Sequence, residues 1–221
     1  MFSRVRHQRR LFSTLLIAES KQGVLHPANR SALAAAQKLG KSIDILVLDS
    51  EAGDVKLKAD KVEAIYMSTS DKFKNSTADV YSHAVNNFIK SQKKYTHVIT
   101  AMSTWSKDYL PRLAAVNDTM LVSDVTEIVD ESTFKRPIYA GNAIATVKSP
   151  GPIHFISARP TNFDPVVSVE KGEVKSVSAD DLLKDLPASV ATWVEDRLKK
   201  SERPELGQAK IVVSGGRGNI E

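Results

Sequence analysis

The 221-residue sequence contains no cysteine, and this absence excludes several classes of protein. Without cysteine there can be no disulfide framework, no thiolate nucleophile, no cysteine-ligated zinc or iron–sulfur centre and no dithiol redox motif. Any redox role would therefore need a bound organic cofactor. The sequence also lacks any apolar run that approaches the roughly 20 residues needed to cross a bilayer, so we predict no membrane span.

Recognisable catalytic and metal-binding motifs are missing as well. The five histidines show no pair at metal-ligand spacing, and there is no Gly-x-Ser-x-Gly nucleophile elbow. The acidic residues are scattered over predicted helix faces and loops, where contact with solvent explains them. We therefore predict no catalytic residue and no metal site, and we interpret His97, inside an apolar strand, as a hydrogen-bonded structural residue.

The net charge of +5 is concentrated at the start of the chain. Residues 1–12 contain four arginines and no acidic residue, and the remainder is nearly neutral. This composition is typical of a mitochondrial transit peptide, so we predict that residues 1–12 are one and that the mature protein begins near Ser13. The alternative is a basic arm that binds nucleic acid. No later cluster of basic and aromatic residues supports it, and we expect no nucleic-acid partner.

Short apolar runs alternate with amphipathic stretches along the first half of the chain. Continuous apolar runs predict strands that are buried on both faces, whereas apolar residues at helical spacing predict helices. The predicted strands are 14–18, 43–48, 62–67 and 96–102, and the predicted helices are 29–39, 76–93 and 107–116. Ser76 and Asp79 have the spacing of a capping box, and Pro111 is expected near the first turn of its helix. Strands separated by helices predict a parallel sheet with helices on both faces.

The second half follows a different pattern. The apolar runs 125–129, 134–140, 143–147 and 153–157 are separated by links too short to hold crossover helices, so we predict antiparallel hairpins. Segment 170–181 is predicted to be a loop, and 187–200 a short amphipathic helix. The expected fold is three-layer α/β: a mostly parallel sheet with helices on both faces plus an antiparallel hairpin section, a Rossmann-like layout similar to that of adenine-nucleotide hydrolases.

A last predicted strand, 210–213, leads into a glycine-rich run. Gly215, Gly216 and Gly218 surround Arg217, and in such a run bare amides can approach a phosphate while the arginine pairs with it. The spacing is not that of the dinucleotide-binding fingerprint, and no helix follows within the chain. Taken alone, the run is more simply explained as a flexible tail.

Eight short segments, in order along the chain, match a known family. They are 15–19, 95–97, 110–115, 123–124, 138–143, 146–148, 201–206 and 212–218. Together they resemble the alpha subunit of the mitochondrial electron-transfer flavoproteins. The first six are similar to its N-terminal domain, and the last two to the junction where its flavin domain begins.

This resemblance implies an organisation and a function. It implies a transit peptide at 1–12, the alpha-subunit N-terminal domain at 13–200, a linker at 201–209 and the start of an FAD-binding domain at 210–221. It implies an electron carrier, not an enzyme, that works as an alpha–beta heterodimer in the mitochondrial matrix. Such a carrier takes electrons from acyl-CoA and related dehydrogenases of fatty acid β-oxidation and passes them to a membrane flavoprotein–quinone oxidoreductase. FAD is held mainly by the second domain, and AMP by the beta subunit.

The resemblance also assigns a role to the glycine-rich run. The family's first flavin-contacting arginine maps onto Arg217, between Gly216 and Gly218, and a guanidinium suits pairing with pyrophosphate or an anionic reduced flavin. The rest of the family's flavin domain has no counterpart before the chain ends at Glu221. We therefore expect a truncated form that does not hold FAD by itself.

Two alternative functions stay open at this point. One is an adenine-nucleotide-binding module that uses the strand ends near Glu19, Asp49 and Met102 as its crevice, although none of these loops carries a glycine-rich phosphate cradle. The other is a cofactor-free scaffold that only binds partners. Titration with ATP and AMP tests the first alternative, and co-purification with the beta subunit separates the carrier from the second.

Overall fold

The computed structural model describes residues 13–188, 191–195, 197 and 209–216. Its strands are β1 (Ser13–Ala18), β2 (Ser20–Lys21), β3 (Val24–Leu25), β4 (Ser42–Asp49), β5 (Val62–Thr69), β6 (Tyr95–Ala101), β7 (Leu121–Val125), β8 (Glu127–Ile128), β9 (Thr133–Ile138), β10 (Ala143–Lys148), β11 (His154–Ala158) and β12 (Val174–Ser176). Its helices are α1 (Asn29–Lys38), α2 (Ala78–Gln92), α3 (Thr104–Val116) and α4 (Ala179–Leu182).

Seven strands form the central sheet, in the order β12-β5-β4-β1-β6-β11-β7. Every neighbouring pair in this sheet is parallel. Strand β1 lies in the middle, and all six of its residues are buried. The parallel α/β fold expected from the continuous apolar runs is confirmed.

Each face of the sheet has its own hydrophobic core. Successive side chains of a strand point to opposite faces, so Leu15 and Ile17 pack on one side, and Leu16 and Ala18 on the other. On the first side the cover is α2, α3 and α4, through side chains such as Phe88. On the second side it is α1 together with residues of the antiparallel sheet. The protein therefore has the three layers that the sequence predicts.

A small antiparallel sheet, in the order β10-β9-β8, takes the place of a crossover helix. The chain leaves the central sheet at the end of β7, forms these three strands and returns as β11. Strand β11 lies between β6 and β7 and is parallel to both, so the prediction that 153–157 is antiparallel is wrong. The links between these strands are short, as the sequence shows. The connection from β7 to β11 is therefore made by strands and not by a helix. Phe134 of β9 is fully buried in the core that it covers.

The helix starts differ from prediction in two places. Helix α3 begins at Thr104, because Ser103 and Ser106 form a reciprocal capping box. Pro111 therefore lies in the interior of α3 and not in its first turn. At α2 the predicted capping box does not form: Thr77 is the cap residue, and its hydroxyl binds the Asp79 carboxylate instead of a backbone amide.

Three predictions about the C-terminal part are wrong where residues are described. Strand β12 lies within the predicted loop 170–181, and helix α4 begins in it. The described residues of 187–200 contain no helix, and those of 210–213 no strand. Ile211 and Val213 are 84% and 94% exposed, since no neighbouring strand in the described part of the chain pairs with them.

Other predictions fall on residues for which no structure is given. The proposed transit peptide, 1–12, lies outside the described residues, as do all but the last residue of the proposed linker 201–209. Arg217 and Gly218 lie outside them too. Within the described ranges, none of the helices has both the length and the apolar character that crossing a membrane requires.

His97 is a buried, hydrogen-bonded residue at the start of β6, which confirms the structural interpretation. Its Nε2 atom donates to the Glu131 carbonyl oxygen at 2.7 Å, and its Nδ1 lies 2.9 Å from the Thr96 hydroxyl. Its ring contacts that of His154, with 4.9 Å between centroids. Burial lowers the pKa of His97 to about 4, and the Lys41 ammonium group adds to the effect. Burial likewise lowers the pKa of His154.

These histidines make folding stability sensitive to acid. From about pH 6.5 down to pH 4 the unfolded chain binds a proton that folded His97 does not, so stability is complete above this window and falls within it. We expect His97 alone to lower the free energy of unfolding by about 2 kcal/mol between pH 8 and pH 5. Urea unfolding at several pH values measures this.

The variant His97→Gln isolates the effect, because glutamine keeps a donor for the Glu131 carbonyl but does not titrate. Its unfolding free energy should depend less on pH than that of the wild type. His26→Gln is the control, since His26 is exposed. An equally steep profile in His97→Gln contradicts the assignment.

Candidate functional site

A cavity of about 400 Å³ lies at the carboxyl ends of β1 and β4. Chain order reverses on either side of β1, and open α/β sheets bind ligands in the crevice at such a switch point. Glu19 and Asp49 both line this cavity, as the sequence predicts. Met102 is not among its lining residues; its amide instead donates to the Ala158 carbonyl at 2.8 Å.

Asp49, at the end of β4, organises the loop that follows β1. Its side chain is buried, with the residue only 4% exposed. Its oxygens accept hydrogen bonds from the Ser20 hydroxyl and from the amides of Gly23 (2.9 Å), Ser50 (2.6 Å) and Glu51 (3.3 Å). The donors of two loops at this end of the sheet therefore converge on one carboxylate.

Asn29, the first residue of α1, fixes the end of β1. It is buried, its side-chain amide donates to the Glu19 carbonyl at 2.8 Å, and its Oδ1 accepts from the Glu19 amide at 2.9 Å. The Glu19 side chain is held less completely, because its Oε2 atom is buried and has no hydrogen-bond partner in the part of the chain that is described.

Tyr81 and Trp105 line the crevice, and the ring of Tyr109 packs against both of them. The ring centroids of Tyr81, Trp105 and Tyr109 lie 4.6–5.0 Å from one another. Burial raises the pKa of both tyrosine hydroxyls above the usual value, so both rings are uncharged. The crevice thus combines an apolar aromatic wall with carboxylates at the strand ends.

This arrangement does not suit a nucleotide phosphate. A phosphate site at strand ends uses free backbone amides, and here the amides of Gly23, Ser50 and Glu51 are already committed to Asp49. Lys21 and Lys74 also line the cavity, but both are exposed. The geometry therefore gives no support to the adenine-nucleotide alternative.

The glycine-rich run was the sequence-predicted cofactor site. Gly215 and Gly216 are exposed, and a Cβ atom built on either would meet no atom within 4 Å among the described residues. A cradle for a pyrophosphate would bring neighbouring groups close to these glycines. The described residues therefore form no pyrophosphate cradle around Gly215 and Gly216, and the roles of all four residues of the run, Arg217 and Gly218 included, stay predictions. Within the same ranges there is also no group of three or more histidine, aspartate or glutamate side chains placed to hold a metal ion.

A second functional feature is the end of the β9–β10 hairpin, residues 139–144, which we call the hairpin tip. Tyr139 and Ile144 are 79% and 59% exposed. Tyr139 and Ala140 both adopt left-handed backbone conformations, with φ of 51° and 55°. Among the described strands, β10 is also an edge strand, because only β9 pairs with it. Exposed apolar side chains on a strained turn beside an open edge are typical of an interaction surface.

The similarity to known proteins covers both the central sheet and the β9–β10 hairpin. A model of the electron transfer flavoprotein domain matches residues 14–182. The electron transfer flavoprotein subunit alpha of Pseudomonas aeruginosa is 38% identical over 209 residues, which are 92% of this chain and 65% of that protein. The mitochondrial subunit alpha of Dictyostelium discoideum is 36% identical over 217 residues, 92% of this chain and 61% of that protein.

The corresponding protein of Arabidopsis thaliana, also named mitochondrial, is 34% identical over 222 residues, 94% of this chain and 61% of that protein. The chain thus spans somewhat under two thirds of the length of these relatives.

The role of Asp49 as an anchor can be tested by Asp49→Asn, which keeps the shape but removes the charge and one acceptor. Hydrogen bonds to charged groups contribute about 1.5–3 kcal/mol, so we expect a loss of about 2 kcal/mol in the free energy of unfolding. Hydrogen exchange at the Gly23 and Ser50 amides should accelerate as well. Asp54→Asn is the matched control, because Asp54 is exposed and its ion pair, with Lys171 at 2.6 Å, lies at the surface. Equal effects of the two substitutions would count against the anchor.

Proposed function

The chain belongs to the electron transfer flavoprotein family, and on that premise we propose that it serves as the partner-docking domain of an alpha subunit. In this proposal it pairs with a beta subunit in a carrier that uses FAD. The carrier takes electrons from acyl-CoA and related dehydrogenases and delivers them to a membrane quinone oxidoreductase. The family match carries the proposal, because it covers residues 14–182 and so includes both the central sheet and the hairpin.

Partner docking is the part of this function that the described residues support. The crevice at the strand ends has its backbone donors committed to Asp49, whereas the hairpin tip presents Tyr139 and Ile144 to solvent. We propose that the hairpin tip contacts the beta subunit. Burying two such side chains contributes about 1.5–3 kcal/mol each, enough for the tip to anchor an interface.

The flavin itself requires more than the described residues. We keep Arg217, with Gly215, Gly216 and Gly218, as the proposed contribution of this chain to FAD binding, by resemblance alone. Because Gly215 and Gly216 have no neighbours in the described ranges, further groups must surround the cofactor. We derive no electron-transfer step through the flavin from this chain.

We also propose that the protein works in the mitochondrial matrix. Residues 1–12 contain four arginines and no acid, which is typical of a transit peptide. The relatives from Dictyostelium discoideum and Arabidopsis thaliana are named mitochondrial, which supports the same location.

Co-expression with the electron transfer flavoprotein beta subunit of the same organism tests the docking role. We expect an affinity-tagged chain to retain the beta subunit through size-exclusion chromatography. Ile144→Lys should weaken the pairing at least about tenfold, because it places a charge in an apolar contact.

Val24→Lys is the matched control for this experiment, since Val24 is 70% exposed but lies on the β2–β3 hairpin, and it should pair like the wild type. Failure of the wild-type chain to associate would contradict the proposed function. Normal association of Ile144→Lys would contradict the placement of the interface at the hairpin tip.

A further inference from the structure

A second cavity, of about 680 Å³, lies at the end of the sheet opposite the crevice. It is formed where α2 ends, β6 begins and the chain turns into β11. We call it the lysine cavity and define it by six of its lining residues: Ile89, Lys90, Lys93, Lys94, Tyr95 and Ile153. Its volume is within the range of small-molecule sites in proteins, about 300–1,000 Å³.

The lining divides into an apolar floor and a cationic side. Ile89 and Tyr95 are 4% and 5% exposed and form the floor together with Ile153. Three lysines also line the cavity, and none of its lining residues in the described part of the chain is an aspartate or a glutamate. A ligand in this space would therefore meet apolar surface and positive charge together.

The three lysines differ in how far their charge is neutralised. Lys94 Nζ lies 2.5 Å from Oδ2 of Asp44, a buried carboxylate that also accepts from the Tyr95 hydroxyl at 2.7 Å. The ammonium groups of Lys90 and Lys93 make no ion pair with any residue in the described ranges, and both lysines are exposed. Two positive charges beside the apolar floor are thus available to a ligand.

Lys93 also occupies an unusual backbone position. It follows the last residue of α2 with φ of 52°, in the left-handed conformation that glycine or asparagine normally adopts at this point. A side chain other than glycine is disfavoured there. Replacing Lys93 by glycine would therefore remove the ammonium group and relieve this backbone conformation at once.

We propose that the lysine cavity binds a small amphipathic organic anion. Its acidic head group pairs with Lys90 and Lys93, and its apolar body packs on Ile89, Tyr95 and Ile153. This binding site goes beyond the proposed docking function and is independent of it. An alternative explanation is that the lysines only interact with the negative C-terminal end of the α2 dipole. That role would require neither a cavity nor apolar residues beside the lysines.

A pair of fluorescent probes tests the proposal on the 221-residue chain. The probes are 8-anilinonaphthalene-1-sulfonate, an aromatic anion, and N-phenyl-1-naphthylamine, its uncharged counterpart. We expect saturable binding of the sulfonate, tighter than that of the uncharged probe. In methyl NMR spectra, the sulfonate should shift the signals of Ile89 and Ile153.

Lys93→Gly is the decisive variant, because it removes the cation while relieving the left-handed backbone, so that it should fold at least as stably as the wild type. It should weaken sulfonate binding about threefold, the effect of losing one exposed charge, and leave binding of the uncharged probe unchanged. Lys61→Gly is the matched control: Lys61 also has a left-handed φ, of 66°, but does not line this cavity. Its sulfonate affinity should equal that of the wild type.

Three results would overturn the proposal. They are equal affinity for the two probes, equal sulfonate affinity in Lys93→Gly and Lys61→Gly, and NMR shifts at the crevice beside Trp105 in place of those at Ile89 and Ile153. Preferential sulfonate binding that falls only in Lys93→Gly supports it.

Discussion

Strand β1 sends alternate side chains into two separate cores, so both faces of the central sheet have to be covered. Helices α2 and α3 cover one face, and α1 with the antiparallel sheet covers the other. The crossover from β7 to β11 satisfies this requirement with a hairpin, whose Phe134 fills the second core. The same hairpin leaves the sheet with an exposed tip and an open edge strand, so covering the core also creates the surface that we assign to a partner.

The two ends of the sheet differ in chemistry because their loops are fixed differently. At the carboxyl ends, the Asp49 carboxylate binds the Gly23 and Ser50 amides and the Asn29 side chain binds the Glu19 backbone, so these groups are not free to bind a phosphate. At the opposite end, Lys90 and Lys93 keep their charges beside an apolar floor. We therefore place the proposed recognition features of the described domain at its hairpin tip and its lysine cavity, away from the usual nucleotide site of this fold.

Much of the fold could be predicted from the sequence because buried strands are continuous apolar runs; β1, β4, β5 and β6 lie close to their predicted positions. The parallel pairing of β11 with β6 and β7 could not be predicted, because the spacing of apolar residues along a strand does not show which strands lie beside it. At the site, the positions of Glu19 and Asp49 at strand ends could be predicted from the sequence. The hydrogen bond from the Gly23 amide to Asp49 could not, because it joins residues that are distant in the chain. The lysine cavity could not be predicted either, because its lining residues come from the end of α2 and from the turn before β11, which are distant in the chain.

We propose that this chain supplies a docking scaffold and that further groups hold the flavin. The most direct test is the absorbance spectrum of the purified 221-residue chain after incubation with excess FAD and removal of free flavin. We expect a colourless protein without flavin bands, one that nevertheless pairs with the beta subunit. A stoichiometric yellow protein formed by this chain alone would contradict this proposal.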